Sequence, residues 1–232
     1  MIRSAAVASL VSGLVVFGAM RAFDSGEPQR GERAASAGPI SAEEGTRLQV
    51  SPPVDFAGLT WKDYSGVRLP YSALDGPRMT RGDLASGFSR TPRGALLAAI
   101  HIGVRANPQW EPHVFEDTIR RQVTGPDGSE LLSETRSSKA GQREQPAGDS
   151  GAKAYVVIEA FRWQGYTPET ASLDLLTAGP GDSDATVRAV TRLQVQWRRG
   201  DWRLVAPPGG AWSGSAAPAR TTEGYTRLPG SG

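Results

Sequence analysis

Residues 87–108, GFSRTPRGALLAAIHIGVRANP, carry the strongest fold signal in this chain, because they begin, fill and end one buried helix. Thr91 is a good N-cap, and Pro92 suits the first helical position, where a missing N–H costs nothing. Asn107-Pro108 then ends the helix. Three polar residues form a narrow stripe on an otherwise apolar surface: Arg93, His101 and Arg105. The pattern predicts a helix that fills the core of the domain.

The segments after this helix predict two more helices. Glu111 to Val123 repeats apolar residues at helical spacing and pairs acid with base at i,i+4 on its other side. Asp127 and Glu130 form a capping-box pattern, which predicts a short third helix. Residues 136–153 are polar and are expected to form a mobile connection.

The last third of the chain has the alternation of β-strands. Residues 186–197, TVRAVTRLQVQW, alternate apolar and polar side chains with a period of two, and Gly200-Asp201 forms a two-residue hairpin turn. Residues 154–163 and 169–179 predict two earlier strands. Four consecutive strands predict a curved antiparallel meander, whose apolar face two or three helices cover. The expected fold class is therefore α+β.

The composition excludes several classes of function. The 26 basic and 24 acidic residues leave a net charge of +2, without the basic face that nucleic acid requires. No direct nucleic-acid binding is therefore expected. The chain has no cysteine, which excludes disulfides, thiolate metal sites and cysteine nucleophiles.

The N-terminus favours attachment to a membrane. Residues 4–20, SAAVASLVSGLVVFGAM, are uncharged and lie between Arg3 and Arg21. As a helix they span about 26 Å, slightly less than a hydrocarbon layer of about 30 Å. The small-residue pattern of a signal-peptidase site is poor here, so an uncleaved signal anchor is preferred. A cleaved signal peptide and a buried soluble helix are the alternatives.

Composition divides the chain into four segments. Residues 1–22 form the predicted transmembrane signal anchor, and residues 23–53 are a polar, flexible linker. Residues 54–208 form the α+β domain, which would lie outside the cytoplasm. Residues 209–232 are rich in Gly, Ser and Pro and are expected to be disordered.

The sequence shows no pattern for catalysis, a cofactor or a metal. The stretch from Gly87 to Thr91 comes close to the nucleophile elbow G-x-S-x-G but fails at its last position. The two histidines, His101 and His113, lack a nearby acidic cluster, so no metal site is expected. The protein is therefore predicted not to be an enzyme.

Five residues are candidates for binding a partner or lining a pocket. Arg78, Arg90 and Arg93 lie near the start of the first helix, where the helix dipole favours anions. Trp163 and Tyr166 belong to a set of aromatic residues that would either line a pocket or pack across strands, and packing is preferred.

Two more candidates are ionisable residues within apolar surroundings. His101 lies on the polar stripe of the buried helix, and Glu159 interrupts an apolar strand face. Together with Asp174, they are the groups that an enzyme of this architecture would use. A hydrogen-bonded structural role is the preferred interpretation of His101.

Two segments resemble a known group of proteins. They are residues 66–106, GVRLPYSALDGPRMTRGDLASGFSRTPRGALLAAIHIGVRA, and residues 186–210, TVRAVTRLQVQWRRGDWRLVAPPGG. The first resembles a signature of uncharacterised membrane-anchored proteins of high-GC Gram-positive bacteria, which are associated with conjugative plasmids and integrating elements. The second is similar to the terminal hairpin of that group. The resemblance covers roughly residues 54–210.

The architecture adds two further resemblances. Helices followed by a curved meander resemble the cystatin-like cone of the nuclear transport factor two superfamily. The order of anchor, linker and cone is similar to the layout of the bitopic scaffold subunit of type IV secretion and conjugation channels. Neither likeness transfers a functional residue, since fold alone does not carry function.

Together these resemblances imply a single-pass protein of the cell membrane with an extracytoplasmic interaction or assembly module, in an apparatus for conjugative DNA transfer. Its partners would be other membrane-complex proteins or further copies of the chain. Two alternatives remain: a small-molecule enzyme of the same superfamily, and a secreted ligand-binding protein.

Overall fold

The computed structural model describes residues 51–80, 82–144, 156–180 and 186–230. These residues form three α-helices and nine β-strands. In chain order they are β1 (Leu59–Tyr64), β2 (Val67–Ser72), α1 (Pro92–Arg105), α2 (Pro112–Gln122), β3 (Val123–Thr124), α3 (Gly128–Glu144), β4 (Val157–Tyr166), β5 (Thr170–Pro180), β6 (Thr186–Arg198), β7 (Asp201–Val205), β8 (Ala216–Pro218) and β9 (Thr226–Arg227).

Helix α1 forms where the sequence predicts it and lies at the centre of the domain. Thr91 caps it, because Thr91 Oγ1 accepts a hydrogen bond from the Gly94 amide at 3.0 Å. Every residue from Gly94 to Arg105 is buried. The helix packs against β2 and against one face of β5, β6 and β7. Its predicted place in the core is confirmed.

Helix α2 lies beside α1 near the β3–β7 edge of the sheet, and α3 is a neighbour of α2. Helix α2 packs on α1, β3 and β7, and α3 packs on α2. Helix α3 is longer than the short helix that the sequence predicts, since it continues to Glu144. Arg136 explains part of this extension, because it donates to both carboxylate oxygens of Glu116 on α2, at 2.9 and 2.6 Å. Residues 136–144 of the expected mobile connection belong to α3, and residues 145–153 lie outside the described residues.

The main sheet has seven strands, so the expectation of a four-stranded antiparallel meander is wrong. The strand order is β3-β7-β6-β5-β4-β9, and β8 pairs with β6. Strands β4 to β7 form the antiparallel run that the alternation predicts, whereas β3 is parallel to β7. The three additional strands have two or three residues each. They are too short to show an alternation and form because longer strands offer unpaired N–H and C=O groups.

The register of β4, β5 and β6 separates the side chains into two faces. The inner face, which α1 covers, carries the large aliphatic residues. They include Leu173, Leu175, Leu193 and Val195, which are fully buried. The opposite, outer face carries charged residues at the alternating positions. The fold is thus α+β, with its helices on one side of a mixed sheet.

Strands β1 and β2 form a separate two-stranded sheet. Ser65 and Gly66 connect them, with φ angles of 49° and 93°, as a two-residue hairpin turn requires. Pro70 on β2 accepts a hydrogen bond through its carbonyl from His101 Nε2 on α1, at 2.7 Å. This bond fastens the hairpin to the central helix.

The C-terminal segment, expected to be disordered, instead packs on the domain from residue 209 to residue 230. We call residues 219–230 the strap. The Ala219 amide donates to a carbonyl of β6, and the Leu228 amide donates to the Glu159 carbonyl of β4 at 3.0 Å. The strap therefore crosses the outer face from the β6 side to the β4 side. Trp212 and Leu228, both buried in the core cluster, anchor a segment whose composition otherwise suggests disorder.

The predicted anchor, residues 1–22, and most of the predicted linker, residues 23–53, lie outside the described residues. None of the three described helices combines the length and the apolar composition that crossing a membrane requires. The expected N-terminal membrane helix is therefore not part of the fold that the structure describes.

Candidate functional site

Arg93 binds the loop before α1. Arg93 Nε lies 2.5 Å from Asp75 Oδ2, and both side chains are largely buried. The same carboxylate accepts a hydrogen bond from Thr91 Oγ1 at 2.6 Å. Arg93 Nη1 also donates to two backbone carbonyls of residues 55–57. Arg93 thus connects the helix start to two preceding segments.

Arg78 and Arg90 have different partners and do not join Arg93. Arg78 donates to Ser89 Oγ at 2.7 Å and to carbonyls of its own loop. Arg90 Nη2 lies 2.5 Å from Glu169 Oε1, and its guanidinium group lies 5.7 Å from the centre of the Trp197 ring. The three arginines near the start of α1 therefore do not form one cluster.

His101 is fully buried, and both of its ring nitrogens have partners. Nε2 lies 2.7 Å from the Pro70 carbonyl, which can only accept, so Nε2 carries the proton. Nδ1 then accepts from Arg105 Nη1 at 3.0 Å. Burial, and after it the charge of Arg105, lowers the pKa of His101 to about 3. The ring is therefore neutral at pH 7. A pKa of about 3 lies far below the near-neutral pKa of an efficient general base.

Arg105, which the sequence places on the polar stripe, is buried beside His101. Its guanidinium group lies 4.2 Å from the centre of the Tyr64 ring. Among the described residues, no carboxylate lies within salt-bridge distance of it. The ring face and the His101 carbonyl, 3.1 Å from Nη1, therefore stabilise this buried cation. The i,i+4 spacing of His101 and Arg105 is the sequence signal for this pair.

Glu159 forms a two-pronged ion pair with Arg188 on β6, with N···O distances of 2.7 and 3.0 Å. It lies at an irregularity where the register of β4 against β5 shifts. His101 instead binds Pro70 and Arg105 in the core. The structure therefore does not join Glu159 and His101, two of the three groups that an enzyme of this architecture would use.

Trp163 and Tyr166 belong to an aromatic row on β4. The ring centre of Trp163 lies 5.4 Å from that of Phe161 and 5.8 Å from that of Tyr166. Phe56 extends the row by an edge-on contact with Phe161 at 6.4 Å. Trp163 is buried and Tyr166 is half-buried, so these rings pack against one another along β4 rather than across neighbouring strands.

A cleft of about 550 Å³ opens on the outer face of the sheet. Strand β7 pairs with residues 195–198 of β6, and β8 pairs with residues 189–191 on the same side. Residues 206–215 connect β7 to β8. Between the two pairings, the edge of β6 has no described strand beside it. The volume lies within the range of about 300–1,000 Å³ that small-molecule sites occupy.

The floor of the cleft is a row of three charged residues on neighbouring strands, Arg162, Asp174 and Arg192, which we call the charged row. The register places Asp174 directly opposite both arginines. Arg162 Nη2 donates to Asp174 Oδ2 and Arg192 Nε donates to Asp174 Oδ1, each at 2.9 Å. Gln164 Nε2 adds a donor to Oδ2 at 2.6 Å. The two cations and one anion leave the row with a single positive charge.

Asp174 is buried beneath its partners. Its side chain is 5% exposed, against 45% for Arg162 and 59% for Arg192. Burial raises the pKa of Asp174, but the hydrogen bonds and charges of Arg192 and Arg162 lower it by more, so its pKa lies below the ordinary value. The carboxylate is therefore ionised at neutral pH and orients both guanidinium groups.

The wall of the cleft is apolar. It is formed by residues at the end of β7 and in the connection from β7 to β8: Val205, Pro207, Pro208 and Trp212. Gln194 and Ser172, which lie opposite each other on β6 and β5, also line the cleft. The cleft thus changes from charged at β4 and β5 to apolar beyond β6.

Within the described ranges, no three His, Asp or Glu side chains come together as metal ligands would. Asp174 and Glu159 are each occupied by arginine.

The sequence does not predict the cleft, although it identifies Asp174 as a candidate ionisable group. The alternation of β6 places Arg192 on its polar face, and this is a usable signal. The alignment of Arg162, Asp174 and Arg192 depends on the register of three strands, which includes two irregularities in β4. No local pattern encodes that register.

Comparison with known proteins identifies one matching family model. No curated protein and no solved structure matches the chain. Residues 24–227 match the family model described as a domain of unknown function, DUF8175. This match includes every described strand and helix and most of the strap, and the chain therefore belongs to the DUF8175 family.

Proposed function

We propose that this domain is a non-catalytic binding module and that the cleft on the outer face holds its ligand. The observation that carries the proposal is the cleft of about 550 Å³ with a charged floor and an apolar wall. A concave site with a few convergent polar groups is the usual form of a ligand site.

The contacts of the ionisable residues favour binding over catalysis. His101 has both ring nitrogens bonded inside the core, and Glu159 is paired with Arg188. Asp174 accepts from two arginines, and its lowered pKa disfavours a role as a proton donor at neutral pH. These residues support the architecture of the domain rather than an acid–base pair.

The sequence indicates where such a module would act. The uncharged residues 4–20 and the polar residues 23–53 support attachment to the cell membrane, with the domain on its outer side. We expect full-length protein in the membrane fraction, with the domain cleaved by protease added to intact protoplasts. A soluble product that begins after Gly18 would contradict this localisation.

A part in conjugative DNA transfer rests on the family resemblance of residues 66–106 and 186–210. Under this proposal, the module binds other proteins of a membrane complex or further copies of itself. Genes for a relaxase or a DNA translocase beside the gene of this protein are the expected finding. Consistent neighbourhoods of metabolic genes would contradict it.

Gly214 allows a direct test of the cleft. It lines the cleft, and a Cβ atom at this position would meet no atom within 4 Å. A larger side chain at this position thus starts in open space at the edge of the cleft, and Gly214→Phe is designed to block it. Gly141→Phe is the matched control, because Gly141 on α3 also faces open space.

We expect full-length protein in a non-ionic detergent to bind some members of a small-fragment library, detected by saturation-transfer NMR. Binding of this subset should be lost in Gly214→Phe and retained in Gly141→Phe. If no fragment distinguishes the two variants, the cleft is not a binding site and the proposal fails.

A further inference from the structure

We infer that the cleft takes a small organic anion, whose carboxylate binds the charged row and whose apolar body lies against Pro207, Pro208 and Trp212. The inference rests on the proposed function and names the chemistry of the ligand. Hydrogen-bonding capacity, charge and the distribution of polarity support it independently.

The first argument is that Asp174 has little acceptor capacity left for a ligand. Its Oδ1 accepts from Arg192 Nε at 2.9 Å. Its Oδ2 accepts from Arg162 Nη2 at 2.9 Å, Gln164 Nε2 at 2.6 Å and, at 3.5 Å, Arg192 Nη2. Each carboxylate oxygen has about two lone-pair sites, so Oδ2 is saturated, and Oδ1 of this 5% exposed side chain keeps at most one free site. The floor therefore offers a ligand mainly N–H donors, and these fit an acceptor-rich group.

The second argument is charge. Asp174 neutralises only one of the two arginines, and both guanidinium groups reach the surface, with 45% and 59% of their side chains exposed. A ligand carboxylate would neutralise the remaining charge. Guanidinium groups bind carboxylates through paired, charge-assisted hydrogen bonds, so a singly charged oxyanion is the best match.

The third argument is that the floor is held in place before a ligand arrives. Asp174 binds both arginines from below, and the Tyr225 ring of the strap lies 4.7 Å from the Arg162 guanidinium group. This cation–π contact fixes Arg162 from the side of the strap. Fixed donors lose less conformational entropy on binding than free surface arginines do.

The fourth argument is the change of polarity across the cleft. Moving from β4 to the far side of β6, the lining changes from Arg162 and Arg192 to Val205, Pro208 and Trp212. A ligand that is anionic at one end and apolar at the other satisfies both ends. An inorganic anion would leave the apolar wall without a contact.

The test uses three probes of almost equal shape and different charge: 4-fluorobenzoate, 4-fluorobenzamide and 4-fluorobenzamidine. Their binding to the full-length protein in a non-ionic detergent is measured by ¹⁹F NMR, with protein-free micelles as the blank. We expect the benzoate to bind about tenfold or more tightly than the neutral amide, as charge-assisted hydrogen bonds predict. We expect the cationic amidine not to bind. Acetate, measured by its displacement of 4-fluorobenzoate, should bind about tenfold more weakly than the benzoate because it lacks the apolar ring.

Variants locate the binding. Arg192→Gln should weaken benzoate binding about tenfold, whereas Arg198→Gln, on the same strand but outside the cleft, should leave it unchanged. Gly214→Phe should abolish binding and Gly141→Phe should not. Arg192→Gln could destabilise the domain because Asp174 loses a partner. In that case the comparison of Gly214→Phe with Gly141→Phe still tests the inference.

The outcomes separate this inference from the proposed function. Equal binding of benzoate and benzamide, both lost in Gly214→Phe, would overturn the anion inference and leave the binding module standing. Benzoate binding that Gly214→Phe does not change would overturn the inference, because the probe would then bind elsewhere. If no probe or library fragment depends on Gly214, both proposals fail.

Discussion

His101 and Arg105 show how single polar residues are used within this core. Both lie on the helix stripe that the sequence identifies, and both are buried. His101 bonds Pro70 on one side and Arg105 on the other, while the guanidinium group of Arg105 covers the Tyr64 ring. The pair thus joins α1 to the β1–β2 hairpin, and a neutral imidazole is required for it.

We predict that His101 makes the domain less stable as the pH falls below about 6.5, the ordinary histidine pKa. The folded pKa is lowered to about 3, so between these values the unfolded chain binds one more proton than the folded one. The free energy of unfolding should therefore fall by about 1.4 kcal/mol per pH unit from this residue.

Urea unfolding of the wild type and of His101→Gln at about pH 7, 6 and 5 measures this effect. Glutamine can donate to Pro70 and accept from Arg105 but does not titrate. The wild type should show the steeper loss of stability, and equal slopes in the two proteins would contradict the prediction.

Among the elements, α1 owes its position to the close approach of its first turn to the preceding loop. A Cβ atom on Gly94 would lie 2.0 Å from the Ser89 carbonyl oxygen. The Thr91 side chain accepts from the Gly94 amide and donates to Asp75. Helix propensity alone would favour alanine over glycine here, so contact with the loop decides the residue.

We predict opposite effects of the same substitution in two helices. Gly94→Ala should destabilise the domain by about 1–3 kcal/mol, as overpacking does. Gly141→Ala on α3, where a Cβ would meet open space, should stabilise it by up to about 1 kcal/mol through helix propensity. Chemical unfolding of both variants measures the difference, and a stabilising Gly94→Ala would show that the loop moves freely.

The elements also show which parts of the fold can be predicted from sequence. Helix α1 has a cap, a proline start and a proline stop, and β6 alternates over more than ten residues, so the sequence predicts both. Strands β3, β8 and β9 have two or three residues and exist only because a longer strand is available to pair with them. Their formation depends on tertiary structure, which a local pattern does not contain.

At the scale of the whole molecule, the strap joins parts of the domain that are distant in sequence. It bonds β6 through Ala219, bonds β4 through Leu228, and places the Pro229 carbonyl 2.7 Å from Trp61 Nε1 in β1. Its Gly- and Ser-rich surroundings predict disorder, yet one buried leucine and these bonds hold it on the sheet. The sequence likewise does not predict the charged row, because its three residues come together only when the strands of the sheet have paired.

We predict that Leu228 is a principal anchor of the strap. Leu228 is 3% exposed and Leu74, in the loop after β2, is 72% exposed. Leu228→Ala should lower the free energy of unfolding by about 2–5 kcal/mol, as removal of a buried leucine does. Leu74→Ala, the matched control, should change it by about 0.5 kcal/mol or less. Similar values for the two variants would mean that the strap contributes little to the core.

The bond between Trp61 and Pro229 joins residues that are 168 positions apart. A ribosome synthesises the first hairpin long before it reaches the segment that this tryptophan binds. A nascent chain that ends before residue 229 therefore lacks this contact between β1 and the strap. This holds even if α1 has formed and β4–β7 are already paired. Completion of this domain is a late event in the life of the newly made chain, because long-range pairings form only once both partners exist.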